Sequence, residues 1–272
     1  MRLKNIGWIM ICFLLFNVNS CTDPEEQVAN EKLLWAKKLI RDSDYDRAKE
    51  SLDSIESEFA EQYAILNESR ALNDMITLSI NEARYAELLT DLEKISGSLE
   101  DLKKNFNYSP GAANRPGKYE FKRQTAYNSS QRAFLKVNLN DAGEFYLSSN
   151  FFGNDWLSHT YVRVYDGDLS AESDPVQLSD PGNIKFEDEG NKWEVVSYKN
   201  GRDKEIIDFI YQYSERRLKV RFSGKKHHYI IMETFDKQAV KEAYELAAIL
   251  KNINSLKTEM REKEEVIKRI KK

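Results

Sequence analysis

Three histidines, one acidic run and a crowd of aromatic rings are the side chains of this sequence best suited to chemistry. The histidines are His159, His227 and His228. His227 and His228 are adjacent, so on a strand they face opposite sides and do not share one metal ion. A polar position at a sheet edge is the reading they favour. His159 stands just before a predicted strand, with no serine or carboxylate beside it in a recognisable motif. Asp166, Asp168, Glu172 and Asp174 offer the hard oxygen ligands that Ca²⁺ prefers, and Gly167 permits a sharp turn. Their spacing lacks the third ligand, central glycine and terminal glutamate of an EF-hand, so a solvated loop is expected, with no metal and no cofactor.

No G-x-S-x-G, phosphate-cradling glycine loop, H-E-x-x-H or paired C-x-x-C occurs. No catalytic residue is assigned. A pair of carboxylates about 5–9 Å apart suffices for glycoside hydrolysis, and 45 acidic residues leave room for one. Aromatic residues concentrate between positions 146 and 213. Most alternate along predicted strands and belong to a core. The segment Phe151-Phe152-Gly153-Asn154-Asp155-Trp156 reads instead as a loop. Phe151, Phe152 and Trp156 are therefore the candidate partner-binding loop, since exposed rings stack on sugars or anchor a protein.

The elements that position these residues follow from periodicity. Residues 25–106 read as helix, with no proline between Pro24 and Pro110. Tyr45, Ala48, Leu52, Ile55 and Phe59 recur at three- and four-residue spacing and share one face. The run Leu39-x5-Tyr45-x2-Ala48-x3-Leu52 resembles the turn and second helix of a tetratricopeptide repeat. That resemblance implies close approach of two helices at Ala48. No second copy is found, so a single helical hairpin is expected rather than a solenoid.

Two heptad-like seams flank the centre of the chain. Tyr85, Leu88, Leu92, Ile95, Leu99, Leu102 and Phe106 form the first, and Leu246, Ile249, Ile253, Leu256, Met260, Ile267 and Ile270 the second. They predict an antiparallel pair, with self-association through the helices as the rival. Between them, Pro110-Gly111 and Pro116-Gly117 mark a boundary. Period-2 segments then cover Tyr119–Thr125, Ala133–Leu139, Glu144–Ser149, Thr160–Tyr165, Lys192–Tyr198, Ile206–Tyr213, Leu218–Phe222 and Tyr229–Met232. Asn140-Asp141-Ala142-Gly143 and Lys199-Asn200-Gly201-Arg202 are expected to join neighbouring strands as hairpins.

The fold expected is α+β. An N-terminal helical hairpin and an antiparallel coiled-coil stalk carry an inserted antiparallel β-sandwich or barrel head. The divisions are residues 1–20 as a signal peptide, 21–67 as tether and helical hairpin, and 68–110 as a coiled-coil helix. An antiparallel β domain covers 117–235 and a C-terminal coiled-coil helix 239–272.

The first 21 residues carry the most specific pattern. Arg2 and Lys4 precede an apolar run from Ile6 to Phe16, shorter than the roughly 20 residues a spanning helix needs. Val18-Asn19-Ser20-Cys21 follows. This resembles the signal sequence of a bacterial lipoprotein, although Val18 and Asn19 are not its commonest residues. The resemblance implies cleavage before Cys21 and addition of acyl chains such as palmitate to that cysteine. More than one chain gives lasting attachment, at about 0.8 kcal/mol per buried CH₂. An outer-membrane anchor in the cell envelope, periplasmic or surface-facing, is the expected location. Asp23, Glu25 and Glu26 then form an acidic tether, and they also suit the positive end of the helix that follows. Taken whole, the chain resembles Gram-negative envelope lipoproteins of helix–β–helix organisation, a resemblance specific only over the first 21 residues, and no catalytic residue is transferred.

Cleavage leaves Cys21 as the one cysteine, because Cys12 lies in the signal, so no intramolecular disulfide is expected. Loss of Arg2 and Lys4 leaves 39 basic against 45 acidic residues, a net charge of −6. That balance gives no reason to expect nucleic-acid binding. Hydrophobic residues at 41% with 11% aromatics exclude wholesale disorder. The function expected is a lipid-anchored envelope protein with a non-enzymatic binding or structural role. Its partners are the membrane, through acylated Cys21, and a protein or glycan. A glycan-active hydrolase using a carboxylate pair is the alternative.

Overall fold

The computed structural model describes residues 23–113, 115–124 and 131–272. Cys21 and the signal-like segment before it lie outside the described residues, as does Thr125 at the end of one expected strand. The chain divides into two compact units, one made of residues up to Ala83 with Val266–Lys272, the other of Arg84–Glu265.

The first unit is helical. α1 (Pro24–Arg41) begins where Asp23 accepts a hydrogen bond from the Glu25 N–H at 3.1 Å, with Pro24, Glu25 and Glu26 in the first turn. The acidic residues after Cys21 thus serve this helix end. α2 (Tyr45–Glu58) follows a tight turn in which Ser43 has φ 62°, and Asp44 caps it. Leu33, Ala36 and Leu39 of α1 meet Ala48, Leu52 and Ile55 of α2 in one buried cluster. Ala48 is wholly buried, as the repeat-like spacing implies. α3 (Tyr63–Lys103) adds Ile65, Leu72 and Ile76 to the same cluster, so three helices, not a lone hairpin, close this core.

The second unit holds ten strands among the described residues. They are β1 (Phe106–Ser109), β2 (Lys118–Phe121), β3 (Phe134–Asn140), β4 (Phe145–Gly153), β5 (Tyr161–Asp166), β6 (Leu169–Glu172), β7 (Asn183–Asp188), β8 (Asn191–Tyr198), β9 (Lys219–Ser223) and β10 (His227–Ile231). A six-stranded antiparallel sheet runs β1-β2-β3-β4-β8-β7, and a four-stranded one runs β10-β9-β5-β6. Both are open, so the barrel half of the sandwich-or-barrel expectation is set aside. Alternation places Leu135, Val137, Leu147 and Val196 of the first sheet in the same cluster as Val162, Val164, Val220 and Phe222 of the second.

The expected hairpin at Asn140–Gly143 joins β3 to β4, with Gly143 at φ 78°. The one expected at Lys199–Arg202 does not form. Asn200 and Gly201 do take positive φ, but the residues beyond them form α4 (Ile206–Gln212) instead of a strand. Ile206, Ile207 and Ile210 are buried together, which is helical spacing. β1, β6 and β7 fall outside the expected strands.

α5 (Thr234–Ile270) ends the chain. Its buried face starts before the expected seam, because Ala239, Val240, Ala243, Leu246, Ala247 and Leu250 belong to the sheet core. Leu246 thus belongs to the sheet core, and Leu99 and Leu102 of the first seam pack against the same cluster. The helix start is pinned by Asp236, which is 1% exposed. It accepts from Arg132 Nη1 at 2.6 Å and Nη2 at 2.8 Å, and from Gln124 Nε2 at 2.8 Å. Within this unit, Arg84 Nε to Glu259 Oε1 at 2.8 Å ties α3 to α5, and Asn105 in the turn after α3 donates to Glu242 Oε2 at 2.7 Å, an antiparallel order of contacts.

Candidate functional site

The expected binding loop is divided between a strand and a connector. β4 continues to Gly153, so Phe151 and Phe152 are strand residues on opposite faces. Phe151 turns inward, 6% exposed, with its ring centroid 5.1 Å from that of His228. Phe152 turns outward. The register pairs it with Trp193 of β8, which in turn pairs with Phe186 of β7. The three rings form a row across three strands, 4.8 Å from Phe152 to Trp193 and 5.9 Å from Trp193 to Phe186. β7 is an edge strand, and on it Ile184 and Phe186 are 54% and 47% exposed. This apolar margin is the exposed feature that the loop reading missed.

Trp156 is 38% exposed and belongs to a different cluster. Lys185 Nζ and Lys192 Nζ lie 5.5 and 5.4 Å from its ring centroid. Lys192 is paired with Glu187, and Lys185 donates to Ser158 Oγ at 2.8 Å. Phe151, Phe152 and Trp156 therefore occupy a core, an outer sheet face and a cation-flanked position, with Phe151 and Trp156 bordering one cavity of about 240 Å³.

Around His159 the structure assembles a group that no local motif announces. His159 Nδ1 lies 2.8 Å from Glu194 Oε2, and His159 Nε2 lies 2.8 Å from Ser149 Oγ. These are the distances of a serine–histidine–acid relay. All three residues are fully buried. Ser149 Oγ is also 2.9 Å from the Tyr198 hydroxyl, and the Phe222 ring packs 5.4 Å from the imidazole. A nucleophile must reach a substrate carbonyl, and this hydroxyl is enclosed on every side by its own core. The arrangement acts as a tie between the sheets: Ser149 and Glu194 come from β4 and β8, and His159 leads into β5.

Glu194 is the centre of that tie. It accepts from the backbone N–H of Ser158 at 2.6 Å and of His159 at 2.9 Å, besides the imidazole N–H. Burial by itself pushes this carboxyl up, but the hydrogen bonds from His159 and from the two backbone groups outweigh it and hold Glu194 below the ordinary carboxylate range. Ser158 sits at φ 55°, a left-handed conformation that costs about 1–2 kcal/mol outside glycine. The paired N–H bonds to Glu194 hold it there. Gly224 completes the fit, since a Cβ built on it would stand 2.3 Å from the Leu157 carbonyl oxygen.

Compared with known protein families, curated proteins and solved structures, the chain matches none.

The remaining chemically suggestive residues resolve into ordinary positions. Asp166 and Glu172 flank a β5–β6 hairpin whose Gly167 has φ 59°. Asp166 pairs with Arg216, Glu172 with Arg221 and Asp174 with Lys204. Among the described residues no group of three or more His, Cys, Asp or Glu is placed to hold a metal ion. His227 and His228 face opposite sides of β10. His227 is exposed beside Tyr229, whereas His228 packs inward, where burial and then neighbouring His159 push its pKa down. A groove of about 690 Å³ gathers Asp101, Glu215, Glu242 and Glu245, carboxylates from separate segments, with Lys237 and Lys241 among them. Glu242 is already engaged there, accepting from Asn105 and from Gln238.

Proposed function

We propose that this chain is a lipid-anchored protein of the bacterial cell envelope, with a non-enzymatic binding or structural role. Acyl chains on Cys21 hold it in the outer membrane. The two sheets act as a sandwich head, and α3 and α5 pair as its helical stalk, a pairing supported by the Arg84–Glu259 and Asn105–Glu242 contacts. The resemblance over residues 1–21 supports the anchor.

The observation that carries the binding role is the apolar margin of the six-stranded sheet. Ile184 and Phe186 stand exposed on edge strand β7, and half-buried Trp193 of β8 and Phe152 of β4 continue from Phe186 inward, an apolar margin from which a partner would displace water. A photo-crosslinking residue in place of Phe186, activated in growing cells, tests it. We expect an adduct of defined mass that Trp193→Ala abolishes. The same adducts from a crosslinker in place of exposed Glu50 on α2 would contradict a docking role for this margin. An adduct of twice the chain's mass would make the partner a second copy.

A glycan hydrolase is the second reading, favoured by the carboxylate-lined groove. Release of soluble fragments from peptidoglycan or polysaccharide, lost in Glu245→Gln, would promote it above the binding role.

A further inference from the structure

The stretch from Arg216 to His228 contains six Lys and Arg residues and no Asp or Glu, in a chain whose net charge is −4. It forms the β9–β10 hairpin, where period-2 alternation sorts it. Val220 and Phe222 point into the core and are wholly buried, while Lys219 and Arg221 face outward. The register sets Arg221 between Tyr229 of β10 and Arg163 of β5, and sets Lys219 between Ile231 of β10 and Tyr165 of β5. Rings and cations thus interleave over adjacent strands of the four-stranded sheet.

We propose that this outward sheet face binds an acidic polysaccharide. The charge complementarity is local: Arg163, Lys219 and Arg221 outnumber the one carboxylate among them, Glu172, and this net positive face on an acidic protein selects a polyanion. The rings select a sugar, because a pyranose presents an apolar face that stacks on tyrosine while its acid groups reach the neighbouring guanidinium and ammonium groups. The guanidinium groups are held in place, Arg163 by a neutral hydroxyl that leaves its charge open to a ligand and Arg221 by an ion pair. Arg163 Nη2 donates to Ser170 Oγ at 2.9 Å, and Arg221 donates to Ser223 Oγ and to Glu172, both at 3.1 Å. A lipid surface fits less well, because membrane-lying elements drive apolar groups beneath flexible cations. Here Ile231 and Leu169 stand apart on the two edge strands. The choice of a glycan over a single-stranded nucleic acid rests on the envelope reading proposed above.

The test is binding of the full chain, in detergent solution, to polygalacturonate, with neutral dextran as the uncharged comparison. Cys21→Ala protein serves for vesicles of anionic phospholipid, so that acyl chains contribute nothing to that arm. We expect polygalacturonate to bind, more weakly as salt rises, and dextran not to bind. Arg163→Ala with Lys219→Ala removes no partner from a carboxylate and should weaken binding about tenfold, some 1.4 kcal/mol. Tyr229→Ala should weaken it severalfold at every salt concentration. Lys219→Ala alone, at an exposed position, keeps the test open if the double variant fails to fold. Absence of polygalacturonate binding, or binding indifferent to Lys219→Ala, overturns the proposal. Tighter binding to the anionic vesicles or to single-stranded DNA overturns it as well, giving the face to a membrane or a nucleic acid. Because polysaccharide binding reads the same whether or not Cys21 is acylated, its failure is distinct from failure of the anchor.

Discussion

Glu194 shows how one residue can decide a local structure. It sits between Trp193 and Val195 on β8, where polar and apolar residues alternate in the order expected of a charge facing water. The structure turns it inward, because two backbone N–H groups and an imidazole wait there to satisfy it. Removing the charge should therefore cost stability out of proportion to the change in shape. Glu194→Gln is expected to lose about 3 kcal/mol in urea unfolding, since the amide presents N–H to groups that also donate. The pH dependence has a definite sign. The folded carboxyl titrates below its ordinary 4.5, so its stabilisation is complete above pH 4.5 and is lost as pH falls from there through the lowered folded value. Glu194→Gln should flatten the stability profile in that acid window. An unchanged profile would show that the tie carries little of the acid sensitivity. The Ser149–His159–Glu194 group was not legible in the sequence, because its members are joined only by the β4–β8 register and the turn into β5. The opposite orientations of His227 and His228 were legible, because they need nothing beyond strand alternation.

Elements were read most reliably where a turn residue and a periodicity agreed. The β3–β4 hairpin was legible because Gly143 supplies a positive φ between two clean alternating runs. The Ile206–Gln212 segment was misread because seven residues with adjacent isoleucines fit both periods, and length could not arbitrate. β7 escaped notice because it is an edge strand whose apolar residues face outward, while Lys185, Glu187 and Asp188 mask it as a loop. The loop expected at Phe151–Trp156 overlaps β4, which runs on to Gly153, because consecutive aromatics hide the alternation that puts Phe151 in the core and Phe152 outside. The connector after β4 depends on close backbone approach at Gly224. Gly224→Ala would place a Cβ 2.3 Å from the Leu157 oxygen and 2.7 Å from the His159 nitrogen, both backbone atoms that cannot swing away. A loss of about 1–3 kcal/mol in thermal or urea unfolding is expected. A neutral result would mean that the connector has freedom the Glu194 tie should deny it.

For the whole molecule, two cores are held by different means. In the helical unit, small Ala36 and Ala48 let α1 and α2 approach. The sheet-bearing unit relies on alternating aliphatic residues, one buried polar tie and the Asp236–Arg132 pair that fixes the start of α5. Neither core announces a reaction. What distinguishes this unit is its outside, an apolar row on one sheet and a ring-and-cation face on the other. Such surfaces are useful where a protein is held near its partners, and the lipoprotein-like start is the part of the chain that would hold it. Whole-cell labelling with an alkyne-bearing fatty acid, on the native chain and on Cys21→Ala, tests this most directly. The account predicts that the native chain takes up label and sediments with outer membranes, and that the variant does neither. Native chain recovered unlabelled in the soluble fraction would contradict the anchor, and with it the envelope setting of both proposed surfaces.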